Sequence, residues 1–134
     1  MHLVIVESPY AGEVERNITY ARACLHDCLL RGLAPFASHL LYTQPGVLDD
    51  NVPAERSLGI IAGLAWGSQA ERTVVYVDHG ISGGMRQGIR HAVDDMRAIE
   101  FRVLNFADNH HQIDNARAEL SQESWWEHAK EWIE

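Results

Sequence analysis

The chain alternates short unbroken apolar runs with longer stretches in which apolar residues recur every three or four positions. Leu3 to Val6 is one such run, closed by Glu-Ser-Pro-Tyr-Ala-Gly, the pattern of a central strand buried on both faces and ended by a turn. From Glu13 onward, Val14, Ile18, Ala21, Leu25, Cys28 and Leu29 keep helical spacing until Gly32, a residue suited to a left-handed stop. Ala34 to Ala37 predicts a second, short strand, and Pro35, which cannot donate to a ladder, favours an edge position for it. Thr43 to Pro53 reads as a loop that delivers Pro53 to the first turn of a helix. That helix is expected to run to about Trp66 and to bury Leu58, Ile61, Ala62 and Ala65. Thr73 to Val77, β-branched and aromatic, is the clearest strand, and it stops at Asp78-His79-Gly80. Met85, Ile89, Ala92, Val93 and Met96 then form an amphipathic stripe with Ser82 as N-cap, and Glu100 to Leu104 supplies the last strand. Beyond Asn105 the chain turns polar and ends in a helix containing Trp125, Trp126 and Trp132, for which Ser124 and Glu127 have capping-box spacing.

Strands alternating with helices imply parallel pairing and right-handed crossovers. The expected fold is therefore α/β, a three-layer Rossmann-like (flavodoxin-like) doubly wound parallel sheet of about four strands with a C-terminal helical tail. The 134 residues suit one α/β domain over 1–107, with 108–134 as a helical extension packed on that domain or on a partner subunit. Self-association and packing on its own domain are equally good readings of the tryptophan-rich tail, so a homo-oligomer, dimer or higher, is an expectation.

Charge narrows the partners. With 19 acidic residues against 11 basic ones and a formal net charge of -8, the surface repels nucleic-acid backbones, although one local pocket could still hold a mononucleotide. The apolar start has no basic leader and is too short to cross a bilayer, so neither membrane nor secretion is expected and a cytoplasmic location is. Cys24 and Cys28, four apart on a helix, read as small core residues rather than a disulfide or zinc pair. No metal and no cofactor is expected.

In an open parallel sheet, ligands sit beyond the carboxyl ends of the strands where the winding reverses. Two loops converge there, Glu7 to Gly12 and Asp78 to Arg86. A helix starting at the second aims unpaired N–H groups and a positive dipole end into the crevice, which suits a phosphate. Ser82 offers a hydroxyl, Gly83 and Gly84 permit close backbone approach, and Arg86 offers charge; glycine also serves ordinary turns with no ligand. Glu7 and Asp78 each end a strand, as a sugar-hydroxyl acceptor, an acid/base group or the cap of the next turn.

Taken together, Ser8-Pro9-Tyr10-Ala11-Gly12 with Val14 to Asn17, Pro35 to Leu41, Leu48-Asp49-Asp50 and Ile81 to Arg86 resemble the nucleoside 2-deoxyribosyltransferase-like superfamily. The likeness is greatest to small phage and bacterial proteins of the DUF4406 class and their close relatives. It implies a nucleotide-like small-molecule partner held by Ser8, Pro9, Tyr10, Asn17, His39, Ser82, Gly83, Gly84, Met85 and Arg86. Characterised members cleave the bond between base and sugar with a glutamate on the first turn of the helix after the glycine turn. Here that position is Gly88, which has no side chain to attack carbon. Glycine inside a helix costs about 1 kcal/mol relative to alanine, so either close packing or room for a ligand should offset it.

Three functions follow from this mixture. One is a sensor or sequestering protein that binds a nucleotide or nucleotide-derived molecule without cleaving it. Another is an N-glycosidase or deoxyribosyltransferase in which Asp78 or Glu7 acts as base. The last is an assembly subunit with a vestigial pocket.

Overall fold

The structure, a computed structural model, describes residues 1–134. Four strands, β1 (His2–Glu7), β2 (Leu33–Phe36), β3 (Arg72–Tyr76) and β4 (Ala98–Arg102), form one all-parallel sheet in the order β2-β1-β3-β4. Pro35 lies on edge strand β2, the position its missing N–H favours. The chain steps from β1 outward to β2, then back past β1 to β3 and on to β4. With right-handed crossovers, that reversal sends α1 (Val14–Leu30) to one face, and α3 (Pro53–Gly67) and α4 (Gly83–Asp94) to the other. The reversal lies between β1 and β3, so the crevice of a doubly wound sheet opens at the ends of these two strands.

Strand alternation divides the core in two. Val4, Val6, Val74 and Tyr76 pack against Tyr20, Cys24 and Cys28 of α1, with both thiols reduced and fully buried. On the opposite face Val75, Val77, Ile99 and Phe101 pack against Met85, Ile89 and Val93 of α4. α1 stops where Gly32 takes a φ of 77°, the left-handed conformation expected of it. No helix is long and apolar enough to cross a membrane.

The polar stretch after Asn105 folds into α5 (Phe106–Asn109) and α6 (His111–Leu120), and only then into a short α7 (Trp126–Ala129) and a 3-10 turn. Ala116, Leu120 and Ala129 join the α4 core, and Trp125, Trp126 and Trp132 pack against it. Ile133 bridges to Ile99, and the Glu134 N–H donates to the Ile99 carbonyl at 2.8 Å, so the tail closes onto β4. Ser124 caps nothing: Trp125 precedes α7, and no side chain satisfies its first turn.

Two helix expectations need correction. Leu58 and Ile61 are 56% and 63% exposed, and only Gly67 of α3 is buried. Met96 leaves α4 at a φ of 54° with its side chain in solvent. α3 stands off the sheet, and the space beneath it is what positions the site.

Candidate functional site

Beneath α3 lies a cavity of about 320 Å³, floored by Ile5 and Glu7 of β1 and walled by α3 and α4. Its volume falls in the range of small-molecule sites. Ile5 and Glu7 are two apart and share a face of their strand, whereas Val4 and Val6 serve the α1 core. The strand therefore ends by aiming a carboxyl into the cavity beside Ile5.

No hydrogen bond or ion pair within the protein satisfies that carboxyl. Burial pushes it up to about 8, with the charge of Arg97 pulling the other way. At neutral pH Glu7 is accordingly held mostly as the neutral acid. Its seat exists because position 88 is glycine: a Cβ there would lie 2.2 Å from Glu7 Oε1 and 2.3 Å from Cδ. The helix glycine is thus explained by close approach of a carboxyl delivered from the neighbouring strand.

Arg97 lies just ahead of β4 and is only 6% exposed. Its Nε donates to Thr73 Oγ1 at 3.0 Å, and Nη1 donates to the Gly67 carbonyl at 2.8 Å and to Asp95 Oδ2 at 2.9 Å. These bonds fix the guanidinium at the inner end of the cavity, where it also ties the end of α3 to the sheet. Nothing in the local sequence around Met96 and Arg97 signals this role.

The glycine turn forms another wall. Gly80, at a φ of 81°, reverses the chain after β3, and Ser82 caps α4 by accepting the Met85 N–H at 3.2 Å. A Cβ at Gly83 would meet nothing within 4 Å, and one at Gly84 only Ser82 Oγ at 4.0 Å. The protein's own packing therefore does not require glycine at either place. Both open onto the cavity, where their backbone is available to an occupant.

On the β1 side, His39 of α2 (Ser38–Leu41) pairs with Ser8, Oγ to Nε2 at 2.8 Å. Burial pushes His39 down to about 4, so the ring is neutral at physiological pH. Tyr10 lies edge-on to His39 and lines the same cavity. Asn17, almost fully buried, donates to the carbonyls of Tyr10 and Ala11 at 2.9 and 3.2 Å, so it shapes the Tyr10 loop without reaching the cavity itself. Pro9 likewise lies outside the lining.

Glu7, Ser8, Tyr10, His39, Ser82, Gly83, Gly84 and Met85 thus converge on one space. Asp78 and Arg86 do not. The Asp78 carboxylate accepts from the Tyr20 hydroxyl at 2.6 Å, the Leu104 and Asn105 N–H groups at 2.8 and 3.1 Å, and the Asn109 amide at 2.9 Å. Burial alone would raise it, but these donors together hold it below the usual carboxylate range. A carboxylate so occupied ties β3 to α1 and to the segment after β4 and lies outside the cavity lining, where a base was expected. Arg86, expected as a phosphate contact, pairs with Glu119 and Glu123 at 2.6 and 2.7 Å, turned toward the tail and outside the cavity lining. The sequence predicts α3 and its loop but not their part in the site, where they bring Arg56, Glu55 and Asp50 to the cavity; their polar spacing resembles an ordinary solvated surface.

Comparison with solved structures places this geometry in a known fold. A 2-deoxyribosyltransferase from Bacillus psychrosaccharolyticus superposes with a TM-score of 0.54 at 15% identity, covering 80% of this chain and 81% of that one. A conserved protein from Enterococcus faecalis V583 gives 0.55 at 12% identity, covering 94% of this chain and 77% of that one. The fold is nucleoside 2-deoxyribosyltransferase-like. No curated protein matches the sequence. Residues 2–102 match the profile of Domain of unknown function (DUF7768), where the motifs suggest DUF4406 or a close relative, and the chain belongs to the DUF7768 family.

Proposed function

We propose that this protein binds a nucleoside-type small molecule, the nucleoside or a nucleotide derived from it, as a sensor or sequestering protein. One observation carries the reading: the cavity at the β1/β3 reversal contains a carboxyl with no protein partner beside a glycine-lined helix start. A concave space on which polar groups converge is the usual form of a small-ligand site. The deoxyribosyltransferase-like fold supports a nucleoside as its occupant. With Arg86 engaged elsewhere, any phosphate is left to Ser82, the α4 N-terminus and Arg56. Denaturing the purified protein and identifying released small molecules by mass spectrometry tests the reading. A stoichiometric nucleoside or nucleotide supports it, and a different class of molecule contradicts it.

A second reading, cleavage of an N-glycosidic bond, is favoured by Glu7 alone, a proton-bearing carboxyl facing the cavity at neutral pH. Free base released from nucleosides by the wild type but not by Glu7→Gln would establish it over simple binding.

Self-association belongs to the same reading, through α3 rather than the tail. Leu58, Ile61 and Trp66 are each more than half exposed on the helix that walls the cavity, and a second copy of the chain is the proposed cover. Light scattering that finds only monomer at micromolar concentration would contradict this.

A further inference from the structure

A carboxyl in this setting presents a different face to a ligand according to its proton. As an anion it offers only acceptors, which suits paired sugar hydroxyls; as a neutral acid it offers one donor beside one acceptor. The second pattern is complementary to an amidine edge, a ring nitrogen flanked by an amino group. Such a pair makes two parallel hydrogen bonds and leaves no charge buried. We propose that Glu7 reads the ligand, its unpartnered carboxyl making two hydrogen bonds to the amidine edge of an adenine- or cytosine-type base, and that Gly88 is glycine to seat it. The proposal rests on the nucleoside reading above and adds which part of the ligand lies deepest.

Three features of the geometry support it. The acid sits beside Ile5, whose apolar side chain can lie against a flat ring. Glu7 has no protein donor or acceptor, so both of its oxygens are free for a ligand. The carboxyl rests where a side chain at 88 would project, against the face of α4.

Eight further charged or titratable groups line the cavity. Arg97 lines it from ahead of β4, His91 from α4, and His39 and Tyr42 from α2 and the residue after it. Glu55 and Arg56 come from α3, and Asp50 and Tyr10 from the loops at the mouth. Arg97 opposes the neutral form, but its guanidinium is already shared among Thr73, Gly67 and Asp95. Burial outweighs it.

Calorimetric titration of the full chain with adenosine, cytidine, guanosine and thymidine, from about pH 7 to about pH 9.5, tests the proposal, because a donor is lost as the acid ionises. Adenosine or cytidine should bind most tightly at the lower pH and lose about tenfold or more across the range. Glu7→Gln keeps a donor beside an acceptor, so it should hold the affinity at about pH 7 to within roughly threefold and remove the pH dependence. A wild type with flat affinity, a Glu7→Gln protein that no longer binds, or a preference for guanosine or thymidine would overturn the proposal while leaving the nucleoside reading in place. Binding of no nucleoside at any pH would remove that reading and the proposal with it. In the ligand-free protein, the carboxyl carbon of Glu7 followed by NMR should titrate near 8; ionisation complete below about pH 6 would also overturn it.

Discussion

The Glu7 carboxyl and the Cα of Gly88 occupy adjoining space so closely that a Cβ at position 88 would lie 2.2 Å from Glu7 Oε1. The glycine on α4 and the acid on β1 are one structural unit, although they lie far apart in sequence.

That contact makes the two positions interdependent. Alanine in a helix interior ordinarily gains about 1 kcal/mol over glycine. In Gly88→Ala the new methyl displaces the flexible end of Glu7, and much of that gain should vanish. In a Glu7→Ala background nothing obstructs the methyl, so the full gain of about 1 kcal/mol should appear. Urea unfolding of the four proteins in this cycle measures the difference, and equal effects of Gly88→Ala in both backgrounds would disprove the coupling.

Stability should depend on pH in a way set by Glu7. Its folded value near 8 lies above the ordinary 4.5, so the folded state holds the proton more tightly than the unfolded chain. The resulting contribution is fully favourable below about 4.5, declines as pH rises, and levels off above about 8, a loss of a few kcal/mol overall. Glu7→Gln cannot ionise and should be increasingly more stable than the wild type between those limits. Chemical unfolding at intervals from about pH 5 to about pH 9 tests this; a constant difference would contradict it. His39 acts at the other end. Its folded value near 4 lies below the ordinary 6.5, so the unfolded chain takes up the proton first and stability falls as pH drops through that interval.

Asp78 should behave as a structural group. Asn at this position loses the charge and one acceptor oxygen while Tyr20, Leu104, Asn105 and Asn109 still aim donors at it. Asp78→Asn should cost about 2–4 kcal/mol in urea unfolding and leave ligand affinity unchanged in the folded protein. Normal stability with lost binding would instead return Asp78 to the site.

The doubly wound fold was legible in the chain because its signals are local and strong. Buried parallel strands such as Thr73 to Val77 have to be apolar along their length, and Gly32 and Gly80 sit where the backbone needs a positive φ. α3 misleads because its apolar residues cover a cavity and solvent rather than the sheet, so Leu58 and Ile61 resemble core without being core. α6 hides in polar sequence because only Ala116 and Leu120 of it are buried. At the site, the converging loops could be read from strand ends, but the partners of Asp78, the turning away of Arg86 and the approach of Arg97 depend on tertiary contacts. Gly88 could be seen as unusual; only the structure supplies Glu7 as its reason.

Arg86 provides a separate check on how a phosphate would be held. Because it is bound to Glu119 and Glu123, Arg86→Ala should cost less than about 1 kcal/mol and weaken 5′-monophosphates no more than their nucleosides. Ser82→Ala should cost about 1 kcal/mol through the lost cap. A selective loss of phosphorylated ligands in Arg86→Ala, read by calorimetry, would show that the arginine leaves its carboxylates to bind them.

The most direct measurement uses the glycines, whose amide signals stand apart in nitrogen–proton NMR spectra. Nucleosides titrated into labelled protein should move Gly83, Gly84 and Gly88 saturably, while Gly32, at the far end of α1 and outside the cavity lining, stays in place. Shifts confined to other residues, or none with any nucleoside, would contradict a nucleoside-type site between Glu7 and the α4 turn.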